Sequence, residues 1–334
     1  MFFPQLVAGP IERPQHMLRQ FREKHEFSYD LATNGIKLMA WGLFKKVVVA
    51  DRLGMLVSTV YANPREFSGP FLVLSTFFFA FQIYCDFSGY SDIAIGSAQV
   101  IGFRLVDNFK RPYYAISITE FWRRWHISLS TWFRDYLYRP LGGNRVTRLR
   151  WCANILVTFA ISGLWHGANW TFVVWGLLHG FYYLLSRWTQ DLRKRFVITF
   201  ELEKHVLLHK AMKVGITFCI VSFAWIFFVS KNLEDAFYVA SHLFTGYREA
   251  LHPAQLKEML PLNKLGLDHI QLPLALLGIL LVQLVEGLVS QEEMRSMLSA
   301  RPAPFRWTIY YALAMGILIF GVFDNMKNFI YFQF

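Results

Sequence analysis

Charge is what this sequence has least of. Only 17% of its 334 residues are Asp, Glu, Lys or Arg, against 54% hydrophobic and 18% aromatic. A soluble domain of average surface carries about a quarter charged residues, so that class is excluded. Cysteine is scarce as well. Cys85, Cys152 and Cys219 stand far apart, each in or beside an apolar run, which gives neither a disulfide framework nor a zinc site and leaves them as small buried residues. The opening Met1-Phe2-Phe3-Pro4 lacks the basic start and the cleavage site of a signal peptide. There is no glycine-rich nucleotide loop, no His-Glu-x-x-His and no Gly-x-Ser-x-Gly, so nucleotide hydrolysis, zinc proteolysis and a serine triad find no support. Internal repeats and low-complexity tracts are absent too.

What is present is aromatic and apolar. The 33 Phe, 15 Tyr and 11 Trp, with a mean hydropathy of +0.31, describe an integral membrane protein with lipid-facing helices and interfacial aromatic belts. The net charge of +11 then reports orientation, because Arg and Lys beside apolar spans mark cytoplasmic loops. No basic stretch lies on a soluble module of its own, so membrane lipid is an expected partner and nucleic acid is not.

Residues 1–30, with Pro4, Gly9, Pro10 and Pro14, read as an irregular or re-entrant start followed by a short amphipathic stretch. Leu31 to Tyr61 follows a helical pattern interrupted by Lys45, Lys46, Asp51 and Arg52. It reads as a helix at the interface or inside a bundle, its charges snorkelling to water. Pro70 to Tyr84 is apolar and runs into Cys85-Asp86-Phe87-Ser88-Gly89-Tyr90-Ser91-Asp92 before Ile93 to Phe103 turns apolar again. Carboxylates at such depth face a cavity or a partner, so Asp86 and Asp92 are either functional or paired with arginine or with helix starts.

After the basic segment Arg104 to Arg111 comes Thr119 to Tyr138. Read as one helix, it puts Trp122, His126, Leu129 and Phe133 on one face and Arg124, Ser128, Thr131 and Asp135 on another. Alone, a histidine on an apolar face is more often a core residue than a catalyst. The loop Arg139 to Arg145 is basic turn chemistry, extended by Arg148 and Arg150. Two apolar arms follow, Trp151 to Trp165 and Asn169 to Ser186, with a break at His166-Gly167 and basic outer ends at Arg150 and Arg187. They predict a hairpin with both ends cytoplasmic. From Arg150 to His166 is 16 residues, roughly 24 Å of helix against a hydrocarbon core of about 30 Å, so His166 is expected inside the membrane.

His205 and His209 stand at helical spacing beside Glu201 and Glu203, without further ligands, and read as an exposed loop helix; no metal is expected. Three further spans are predicted, Met212 to Ser230, Leu272 to Ser290 and Trp307 to Phe323, with an amphipathic stretch at 232–247 and a loop at 248–270. The whole reads as an all-α polytopic membrane domain of seven or eight spanning or half-spanning segments. Its two tryptophan-flanked histidines and the Asp86 to Asp92 cluster carry the chemistry. A membrane-buried neutral imidazole is suited to accept a proton from a hydroxyl that attacks an activated acyl group.

Five segments resemble the membrane-bound O-acyltransferase family, most closely its bacterial alginate O-acetyltransferase branch: Phe2 to Ile11, Asp86 to Asp92, Trp122 to Tyr138, Ser162 to Trp170 and Tyr331 to Phe334. The resemblance implies helices around a central tunnel, where an acyl donor on the cytoplasmic side, such as acetyl-CoA or another acyl thioester, meets an acceptor on the far side. No bound cofactor is implied. It makes His166 catalytic and His126 the second active-site residue. Asp86, Ser88, Tyr90, Asp92, Trp122, Trp165 and Asn169 would be supporting or cavity-lining groups, and Arg123 and Arg124 would steer an anionic donor. Implied too are the bacterial inner membrane, an exported polysaccharide as acceptor and an extracytoplasmic acetyltransferase as partner. Family members carry several transmembrane helices ahead of the Phe3-Pro4-Gln5-Leu6 segment where this sequence begins. Residues 1–334 are therefore expected to form one membrane acyltransferase domain without them. Two rival readings stand beside this one: D-alanyl transfer to teichoic acid within the family, and a proton- or ion-coupled transporter outside it, for which the buried Asp and His would form a pathway.

Overall fold

The computed structural model describes residues 2–5, 9–247, 270–288, 297–298 and 300–323, and among them it contains helices and no strand. Of the segments with family resemblance, 6–8 and 331–334 lie outside the described residues, as does most of the loop expected at 248–270. Its α-helices are, in chain order, α1 Pro14–Arg22, α2 Tyr29–Leu43, α3 Asp51–Ala62, α4 Gly69–Val100, α5 Ile118–Arg124, α6 Ile127–Phe133, α7 Arg148–His166, α8 Trp170–Trp188, α9 Gln190–Thr199, α10 Val206–Val229, α11 Leu233–His242, α12 Gln271–Leu288 and α13 Ala303–Phe320, among the described residues. By length and composition, α4, α10 and α13 are able to cross a membrane, and Gln271–Gly287 is a shorter apolar helix. The described residues divide into two compact units, one drawn from Met1–Glu66, Phe77–Asn108 and Gly246–Gln333, the other from Phe67–Thr76 and Phe109–Thr245.

In the first unit, α2 and the later part of α4 touch backbone to backbone. A Cβ on Gly42 would stand 2.5 Å from the Gly89 carbonyl oxygen, and one on Gly96 2.5 Å from that of Gly35. The glycines are seven residues apart on both helices, so two turns of close contact are available only because no side chain intervenes. Between α2 and α3 the helix widens into a π-helical segment, Phe44–Ala50. Such a segment shifts the hydrogen-bond ladder and leaves carbonyls for other donors. Those of Val47 and Val48 are taken by the Val322 N–H at 2.9 Å and by Arg52 Nε at 3.3 Å.

The charges on this stretch do not snorkel. Lys45, Asp51 and Arg52 are buried, Lys45 at 1% exposure. Lys45 Nζ lies 2.8 Å from Asp92 Oδ2, 3.6 Å from Glu286 of α12 and donates to Ser88 Oγ at 2.9 Å; Tyr84 donates its hydroxyl to the same Glu286. Lys46 Nζ bridges Asp86 at 2.7 Å and Asp51 at 2.8 Å. Arg52 donates to Gln271 of α12 and to the Phe320 carbonyl at the end of α13. Of the two readings for Asp86 and Asp92, partnership with cations is what is observed, with lysine in the place of arginine. Snorkelling needs a nearby water face; here Lys45 and Lys46 meet carboxylates of α4 and α12, Asp51 meets Lys46, and Arg52 is held by neutral oxygens of α12 and α13.

The second unit is built on the α7–α8 hairpin. A Cβ on Gly163 would overlap the Phe172 carbonyl, and one on Gly176 the Phe159 carbonyl, so the two helices pack at the closest approach backbones allow. Trp125, Trp175, Trp225, Phe121 and Phe228 fill the space beside the hairpin and are almost fully buried.

Removing one partner of a buried ion pair strands the other. Lys45→Met is expected to destabilise the protein by about 3–5 kcal/mol, and adding Asp92→Leu to recover part of that loss. Unfolding of both variants in detergent checks this; equal loss in the two would show that the pair itself is not the source.

Candidate active site

The site is assembled from two chain breaks. α5 starts on a reciprocal cap, where Ser117 Oγ accepts the Glu120 N–H at 3.2 Å and the Glu120 carboxylate accepts the Ile116 N–H at 2.8 Å. It stops at Arg124, and the expected single helix from 119 to 138 is not formed. His126 has φ 44° and ψ 56°, in the left-handed region, and α6 begins after it, followed by a π-helical segment Arg134–Tyr138. For a residue with a Cβ this conformation costs about 1–3 kcal/mol and persists only where packing enforces it. The packing is that of Trp125, 1% exposed, whose ring lies 5.5 Å from Phe121 and 5.1 Å from Trp225. Because of the break, Trp122 and His126 do not share one helical face.

The second break ends α7 at His166, as the apolar arms predict. Gly167 follows in extended geometry, its N–H returning to the Leu164 carbonyl at 3.2 Å, and a Cβ there would collide with the Phe172 ring. Asn169 caps α8 by accepting the Thr171 N–H at 3.1 Å, while its amide donates to the Lys231 carbonyl at 2.9 Å, tying the hairpin tip to the chain after α10.

These two breaks bring His126 and His166 together. Their ring centroids are 6.4 Å apart at an interplanar angle of 53°, and the residues are 3% and 8% exposed. Trp165 lies 6.2 Å from the first ring and 5.0 Å from the second. Trp175 and Phe228 meet His166 edge to face at 5.2 and 5.3 Å. Trp122 reaches this group through Trp175, at 5.9 Å.

The remaining candidates divide. Arg124 pairs with Glu120 at 2.5 Å and donates to the Arg111 carbonyl at 3.2 Å, so its guanidinium braces the break; Arg123 is exposed. Asp86, Ser88, Tyr90 and Asp92 belong to the first unit, where Asp86 holds Lys46 and Ser88 and Asp92 hold Lys45.

One residue escaped the sequence reading. His179 on α8 is wholly buried, 5.0 Å from Trp122 and 5.1 Å from Trp175, and neither ring nitrogen is hydrogen-bonded among the described residues. Two signals were available. His179-Gly180 repeats His166-Gly167, and Thr171, Trp175 and His179 recur every four residues, which places them on one face of α8.

The model of the MBOAT, membrane-bound O-acyltransferase family, matches residues 1–229, which include both breaks and all three histidines. The chain belongs to that family. It is 39% identical over 271 residues to the peptidoglycan O-acetyltransferase of Helicobacter pylori, covering 80% of this chain and 47% of the relative. It is 38% identical over 243 residues to a probable alginate O-acetylase of Azotobacter vinelandii, covering 73% and 46%. Similarity to the teichoic acid D-alanyltransferase of Streptococcus thermophilus is 27% over 259 residues, covering 71% and 61%. The chain thus spans about half the length of the first two relatives.

A buried imidazole with unsatisfied nitrogens is dearer than a leucine of similar size. His179→Leu is expected to leave the melting temperature unchanged or raised. A clear fall in the melting temperature would show that its nitrogens are paired in the native protein.

Proposed function

We propose that this chain carries the catalytic part of a membrane-bound O-acetyltransferase that modifies an exported polysaccharide, with His166 as general base and His126 as its partner on the acyl group. The observation that supports this most is the buried pair itself: two imidazoles from breaks forty residues apart, with ring centroids at 6.4 Å inside an aromatic box. Proton transfer by a placed imidazole typically contributes about 10²–10⁴-fold to a rate.

In the proposed step a sugar hydroxyl attacks the carbonyl carbon of an acyl thioester such as acetyl-CoA. The new O–C bond forms as the C–S bond breaks. His166 takes the hydroxyl proton and returns it to the departing thiolate, while His126 donates to the carbonyl oxygen as it gains charge. Of the two arginines of α5, Arg123 is the one left to attract an anionic donor, since Arg124 is held by Glu120. The donor would approach from the cytoplasmic face of a bacterial inner membrane and the sugar hydroxyl from the far side.

Acetyl is favoured over D-alanyl by the higher identity to relatives named as O-acetylating proteins, 38–39% against 27%. An ion-coupled transporter would need Asp86 and Asp92 for its pathway, and both carboxylates are engaged by lysines.

Transfer of labelled acetyl to exopolysaccharide by the full-length protein tests the reading. His166→Ala is expected to lower the rate by about 100-fold or more and His126→Ala by a comparable factor. Wild-type rates from the His166 variant would sink the mechanism, and D-alanine in the purified polymer in place of acetyl would overturn the substrate.

A further inference from the structure

At the end of the α7–α8 hairpin remote from His166 lies a cleft of about 320 Å³ with an unusual lining. Arg148, Asn144 and Trp151 border it from the start of α7 and the loop before it, Tyr138 from the π-helical segment, and Tyr183 and Arg187 from the last turns of α8. No carboxylate is among the lining residues, and neither guanidinium pairs with one among the described residues. Trp151 Nε1 donates to the Tyr138 hydroxyl oxygen at 3.1 Å, which leaves the phenolic hydrogen to point elsewhere. Burial raises the pKa of that phenol, with the Trp151 hydrogen bond and the Arg187 charge acting the other way. It is therefore a donor at neutral pH. The cleft offers two guanidinium forks, two phenol hydroxyls and an amide. This donor-rich set of net positive charge complements a group that is anionic and rich in acceptor oxygens.

Its position narrows the ligand further. α7 is 19 residues long, about 28 Å of rise, close to the hydrocarbon thickness of about 30 Å. With the other end of the hairpin inside the bilayer, the cleft falls at the level of the lipid phosphates on the basic face. Exposed Leu149 and Trp188 lie beside it in sequence, apolar neighbours suited to acyl chains.

We propose that this cleft is a phosphate-ester site in which Arg148 and Arg187 clasp the phosphate, with the Tyr138 hydroxyl as a third donor. Two molecules could present that chemistry: an anionic phospholipid headgroup, or the phosphate-bearing end of a soluble thioester donor. The first is independent of the acyl-transfer reading; the second rests on it.

Native mass spectrometry of the detergent-solubilised full-length protein distinguishes them. The probes are dioleoyl phosphatidylglycerol, dioleoylglycerol as its phosphate-free counterpart, and adenosine 3′,5′-bisphosphate. Wild type is expected to retain phosphatidylglycerol over dioleoylglycerol. Arg148→Gln with Arg187→Gln is expected to lose at least about tenfold in that retention, and Arg148→Lys with Arg187→Lys to keep most of it, which separates lost charge from lost fold. If the bisphosphate displaces phosphatidylglycerol from wild type, the phosphate site stands and a soluble donor shares it. Displacement failing while the Gln pair still loses lipid makes the site a lipid site. Equal retention of phosphatidylglycerol by wild type and the Gln pair, with no difference in bisphosphate binding, overturns the proposal.

Discussion

The α7–α8 hairpin closes backbone against backbone, with the Phe172 carbonyl over Gly163 and the Phe159 carbonyl over Gly176, and much of the second unit follows from that contact. With no room for a Cβ, the hairpin cannot slide without collision, so the residue that ends α7 has a fixed address. That residue is His166. The adjoining tight turn, with Gly167 pressed on the Phe172 ring and Asn169 tied to the Lys231 carbonyl, fixes the tip against the chain after α10. Trp175, one turn further along α8 than Thr171, then stands where it meets His166 and His179 together. A side chain at Gly163 or Gly176 would force the two backbones apart and carry the end of α7, with its imidazole, out of place.

The first unit obeys a different constraint. Charged groups at membrane depth are tolerated when each finds its opposite, and the glycine contacts of α2 with α4 bring the π-helical lysines within reach of Asp86 and Asp92. Arg52 then joins α12 and α13 to the same segment through Gln271 and the Phe320 carbonyl. The ionic groups are thus the means by which helices remote in sequence are held in one unit, a role that apolar packing alone leaves unspecific.

Much of this was legible in the residues. The hairpin arms and the break at His166-Gly167 followed from apolar length and basic flanks, and the structure puts the end of α7 at that histidine. The break at His126 was not legible. Nothing in Phe121 to Leu129 is glycine or proline, so local propensity favours one continuous helix, and it is the tertiary burial of Trp125 that stops it. The lysine pairs were hidden for a related reason: Lys45 and Asp92 are far apart in the chain, and no periodicity reports such a contact. His179 was hidden by its ordinary setting on an apolar helix, where a core histidine is the commoner outcome, although its His-Gly dipeptide repeated that of His166-Gly167.

If the two breaks exist to make one catalytic unit of His126 and His166, the effects of losing each cannot be independent. The decisive measurement is a double-mutant cycle on acetyl transfer by the full-length protein, comparing His126→Ala, His166→Ala and the double variant. Residues acting as a unit predict a double variant no slower than the slower single one. Multiplied losses, each histidine contributing its full factor regardless of the other, would contradict the account.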